Sequence, residues 1–178
     1  MVILQIYANG NYDKLTKYCT DTDNEFGKVD NKKTLDPEDD AAVQNWGNGW
    51  RMPTVEEYKE LVANCDWKWT EKDGVNGCEF TSKKNGNKIF FPAAGAMWPT
   101  FSRAGFDGYY WSSSLSGNHI CAQLLGCDSV GAELFACTAR SGGLSVRAVR
   151  SKNEPKNEPK NNTPMSSPLT FKKILTHR

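Results

Sequence analysis

A chain of 178 residues, 38% of them hydrophobic and six of them tryptophan, is long enough for one domain with its own core and short for two. Its formal charge of +1 conceals an uneven distribution: from Ser151 onward there are six Lys or Arg against two Asp or Glu, which leaves 16 basic and 19 acidic residues, about −3, in the body before it. That balance argues against a nucleic-acid-binding body; no run approaches the roughly 20 apolar residues of a membrane span, and "MVILQIYANGNYD" lacks the length and basic start of a signal peptide.

The first predicted helix lies in "LDPEDDAAVQNWG", with Asp36 as cap, Pro37 at the first helical position, acids in the first turn and Gly47 as the stop. A second begins at "PTVEEYKELVANC". There Thr54 and Glu57 are spaced for a capping box, and Val55, Tyr58, Leu61 and Val62 recur at intervals of three and four. After Cys65 the period changes. "WKWT", "CEFTS" and "KIFFPAAG" are short β-prone runs separated by "KDGVNG" and "KKNGN", whose Asp-Gly and Asn-Gly pairs suit hairpin turns. "YYWSSS" follows, then a loosely patterned stretch from Leu115 to Gly143. In "LSVRAVR", Leu144, Val146 and Ala148 alternate with Ser145, Arg147 and Val149. The expected class is α+β, with two short helices, several short antiparallel strands and long irregular loops. Residues 151–178 repeat "KNEP" and carry four prolines, and read as a disordered Lys/Pro/Asn-rich tail after a domain spanning 1–150.

The six cysteines, at 19, 65, 78, 121, 127 and 137, include no C-x-x-C pair, and two histidines are too few for ordinary zinc spacing. Cys65 and Cys78 flank the first predicted hairpin and are either a disulfide or two buried thiols.

Four separated phrases, "NWGNGWRMPTVEEYKELVANCDWKWT", "GVNGCEFTSKKNGNKIFFPAAG", "GYYWSSSL" and "GLSVRAVR", together resemble a large bacterial family of secreted paralogous domains common in gut bacteria. That family is similar to the C-type-lectin fold, in the branch that holds formylglycine-generating enzymes and the variable proteins of diversity-generating retroelements. The resemblance covers about residues 10 to 150. It implies an extracellular or cell-surface setting, a chain truncated at its N-terminus, Cys19 without its usual partner near Ala8, and an exposed edge on the last strand. It also implies that Trp46, Trp50, Trp67, Trp69 and Trp111 anchor core and loops. Arg51 is expected to reach backbone carbonyls or an acid near the helix start.

Residues 116–142, between two family-like flanks, depart from the Asn-, Tyr- and Trp-rich pattern that the resemblance leads one to expect. They read as a diversified cassette on a fixed scaffold. On that reading the binding face draws on His119, Gln123, Leu125, Asp128, Glu133, Phe135, Thr138, Arg140 and Ser141, with Tyr110 at its edge. The mixture of an aromatic, a cation, acids and small residues suits a protein or glycan ligand on a cell or phage surface, and a protein surface better than a single sugar.

The alternatives are a plain cell-surface adhesin-like module without diversification, and a copper-dependent oxidase of the formylglycine-generating type. The latter implies a cysteine pair with four residues between, whereas Cys121 and Cys127 have five, a spacing off by one from that pattern. Calcium-dependent sugar binding is disfavoured because the body has neither Glu-Pro-Asn nor Trp-Asn-Asp. No catalytic set, metal site or cofactor is expected.

Overall fold

The computed structural model describes residues 17–19, 29–47, 49–98, 100–118 and 120–150. The tail expected to be disordered therefore lies outside the described residues, as do most of the residues before Val29. Helix α1 (Ala41–Trp46) starts later than its sequence signals suggest. Asp40, and not Asp36, is the cap: its carboxylate accepts from the amides of Ala42 and Val43, and also from Met52 at 2.8 Å. Pro37 to Asp39 form a preceding turn in which the Asp36 carbonyl accepts from the amides of Asp39 and Asp40. Gly47 closes the helix with φ of 83°, a conformation that favours glycine.

Strand β1 (Trp50–Arg51) leads into helix α2 (Val55–Asn64), which has the capping box the sequence calls for: the Thr54 hydroxyl accepts from Glu57 N, and the Glu57 carboxylate accepts from Thr54 N. The same carboxylate takes two bonds from Arg51, at 2.6 and 2.7 Å, and a guanidinium nitrogen also donates to the Met52 carbonyl. Val55, Tyr58 and Leu61 form the buried stripe.

An antiparallel meander follows, of β2 (Cys65–Lys72), β3 (Val75–Ser82) and β4 (Lys88–Pro92). Asp73 and Gly74, with φ of 52° and 76°, make the two-residue turn that the right-handed strand twist favours. This turn fixes the register, pairing Cys78 with Trp69 and Cys65 with Ser82. The two cysteines thus lie four pairs apart, about 13 Å along the strands, too far for a disulfide. Both are buried thiols.

The short hairpin β5 (Ala96–Met97) and β6 (Phe101–Ser102) precedes a second three-stranded sheet, β7 (Gly108–Leu115), β8 (Cys121–Cys127) and β9 (Ala132–Ala139), in that order. The stretch without clear pattern is largely a hairpin. Its β8 is buried on both faces, so burial imposes no alternation to be read.

Neighbouring residues on β7 and β8 face two different cores. Trp111 and Leu124 join one cluster with Met52, Leu144 and Ala148, while Tyr110 and Leu125 join another with Tyr58, Phe80 and Phe91. The β7–β8 pair is the wall between them. The last run does not form a continuous strand. It passes from Met97 at Gly143 to β7 at Ser145, and only β10 (Val149–Arg150) pairs with β1. Its alternation survives: Leu144, Val146 and Ala148 pack on the first cluster and Val149 on the second. Of the expected tryptophan anchors, Trp111 is fully buried and Trp50 and Trp69 are partly so, but Trp46 and Trp67 stand 38% and 37% exposed. Trp67 shares a face of β2 with Cys65 and Trp69 and pairs with the buried Phe80, yet only those neighbours join the second cluster. The fold is α+β, dominated by short antiparallel strands with two helices, and no described helix is long and apolar enough to cross a membrane.

Candidate functional site

The turn from β8 to β9 is built on Asp128. One carboxylate oxygen accepts from the amides of Val130 at 2.7 Å and Gly131 at 2.9 Å, and the Asp128 amide donates to the Gly131 carbonyl. This self-bonded turn lifts Val130 to 85% exposure. Beyond it, β9 carries Glu133 and Phe135 outward.

Gly126, opposite Glu133 in the register and opposite Tyr109 on the other side, makes room for an aromatic ring. A Cβ there would lie 2.5 Å from the Phe135 ring, so the ring rests on bare backbone. Tyr109 stands next to it, centroids 6.4 Å apart. Its hydroxyl donates to Asp107 at 3.0 Å. Asp107 in turn is held in a two-point ion pair by Arg103, which lowers its carboxyl below the ordinary value although burial opposes that shift. Burial, with the bond to Asp107 behind it, raises the Tyr109 phenol.

Between these groups opens a cleft of about 320 Å³, lined by Asp107, Tyr109, Asp128, Val130, Glu133 and Phe135 among others. Asp128, Glu133 and Phe135 were expected in the binding face and do come together here. Asp107 and Tyr109 were not. They arrive from the start of β7, and "GYYW" reads by itself as a buried strand.

The other expected residues lie elsewhere. Tyr110 and Leu125 are core residues of the second cluster, and the Tyr110 hydroxyl donates to the Pro92 carbonyl. Both occupy the covered side of the sheet, which removes them from an exposed face. Arg140 is also buried; its guanidinium donates to the backbone carbonyls of Tyr18 at 3.2 Å and Lys17 at 2.9 Å, tying the end of β9 to an early segment. Gln123 is half-buried and donates to the Leu115 carbonyl, while Thr138 and Ser141 are half-buried at the far end of the hairpin. His119 lies outside the described residues.

Cys121 is joined to Cys137 by a disulfide between β8 and β9. Cys127 is buried as a thiol beside Cys78, and that contact together with burial pushes its ionisation far upward. The two cysteines considered for copper are thus differently engaged.

A second cavity, of about 460 Å³, opens between α1 and Trp50. Its charged groups are committed to structure, Asp40 to three backbone amides and Arg51 to Glu57. The carboxylates of Asp36, Glu38 and Asp39 approach one another nearby, and Lys17 and Lys32 answer them. Comparison with known proteins yields no matching family model, curated protein or solved structure.

Proposed function

We propose that the chain is a C-type-lectin-like binding domain, without catalytic activity, that recognises a protein or glycan through a variable surface within residues 116–142. The single observation that carries this reading is the division of labour in the late hairpin: β8 is core on both sides, whereas β9 and its turn are exposed and bound a cleft. A surface whose side chains change needs such an arrangement, because substitutions at outward positions of β9 such as Glu133 and Phe135 leave the packed wall behind it intact. The variable set is then narrower than residues 116–142 as a whole, and centres on Val130, Glu133 and Phe135, with Asp128 fixing the turn between them.

The test is to probe glycan and surface-protein arrays with the full chain and with a Glu133→Ala/Phe135→Ala variant. The expected result is one or more bound spots that the variant loses at least tenfold while its melting temperature is unchanged. Identical spots for both proteins, or none above background, would sink the reading. Diversification has its own check, an adenine-rich near-repeat of the codons for residues 116 to 150 beside a reverse transcriptase gene. Its absence leaves the plain adhesin-like module.

A further inference from the structure

The cleft has a chemistry of its own. Tyr109 and Phe135 line it with centroids 6.4 Å apart, and Trp98 stands beside Tyr109 at 6.0 Å, outside the lining. Two of them rest on glycine: a Cβ on Gly142 would meet the Trp98 indole nitrogen at 1.9 Å, as one on Gly126 would meet Phe135. The backbone is thus shaped to hold rings that remain partly exposed, Trp98 at 40% and Phe135 at 37%.

The planes decide what such rings can take. Successive rings are inclined by 60° and 68°, so they do not form the flat platform on which a sugar chain would lie. Tyr109 and Phe135 meet edge to face, and what stays exposed of an electron-rich ring face attracts a cation.

The charges agree. Arg103 pairs with Asp107 and also feels the charge of Asp128, while Glu133 has no ion pair among the described residues. Three carboxylates at the aromatic cleft are thus answered by one guanidinium. At about 320 Å³ it lies at the small end of ligand pockets and suits one side chain better than a whole ligand. Around it, Val130 and Phe106 stand 85% and 70% exposed, apolar contacts for a surface larger than the cleft.

We propose that the cleft receives the charged end of a lysine or arginine side chain displayed by a partner protein, with Tyr109 and Phe135 against the cation and Asp128 and Glu133 supplying opposite charge. The inference rests on the binding-domain reading above and specifies its ligand as a basic protein surface.

The full chain should be titrated with a hexalysine peptide and with the same peptide acetylated on every lysine, at about 0.15 M salt, where charges beyond roughly 8 Å are screened. Side-chain resonances of Tyr109, Phe135 and Trp98 give the readout. The expected result is saturable movement of these signals with hexalysine, an affinity at least tenfold lower after acetylation, at least threefold lower for Glu133→Gln and at least tenfold lower for Phe135→Ala. Equal binding of both peptides, unchanged affinity in both variants, or no movement of the aromatic signals overturns the cation site. If array ligands still depend on Phe135 in that event, the binding-domain reading stands and only the cationic ligand is wrong. If the arrays are also blank, both fall.

Discussion

Asp40 shows how much one side chain can organise. Its carboxylate, 4% exposed, caps α1 and also receives the Met52 amide at the end of the loop that leads to α2. Asp40→Ala removes the cap and leaves a buried N–H without an acceptor, so a loss of about 2–3 kcal/mol is expected from urea unfolding. The local signals in "LDPEDD" point to Asp36, whereas Asp40 is the cap in the folded chain. The choice falls to a bond from Met52, 12 residues away, which no local pattern displays. Asp107 offers a pH signature. Arg103 lowers its carboxyl in the folded chain, so around the ordinary value of about 3.9 the unfolded chain binds more protons. The stability it contributes is complete above that value and is lost as pH falls through the depressed one. Arg103→Gln should therefore reduce the drop in melting temperature between about pH 6 and pH 3, measured against the parent chain.

At the scale of elements, legibility follows the range of the forces. The capping box of α2 and the Asp73-Gly74 turn depend on residues within four positions of each other, and both were readable. β8 was not, because a strand covered on both faces shows no alternation, and Leu124 and Leu125 face two different cores. The candidate site divides in the same way. Asp128, Glu133 and Phe135 belong to one continuous segment whose departure from its flanks could be seen, whereas Asp107 and Tyr109 reach the cleft from the start of β7, beside β8, through pairing that only the folded chain reveals. Close approach of strands makes a further prediction. A Cβ on Gly77 would lie 2.2 Å from the Phe91 carbonyl oxygen in the adjacent strand, where backbone has little room to yield. Gly77→Ala should cost about 1–3 kcal/mol, visible as a lower urea midpoint.

The whole molecule is held by few covalent or local devices and by much non-local packing. The Cys121–Cys137 disulfide closes a loop with a sequence separation of 16, for which chain entropy gives about 3 kcal/mol. Cys121→Ala/Cys137→Ala should lose stability of that order by equilibrium unfolding. The larger organising feature is the pair β7 and β8, which supplies one face to each hydrophobic cluster. Neither cluster can melt and leave the other intact, since each loses a side of its enclosure when that pair separates. Heating should therefore give a single all-or-none transition, with calorimetric and van't Hoff enthalpies in agreement. Two resolved transitions would mean that the halves are thermodynamically separable.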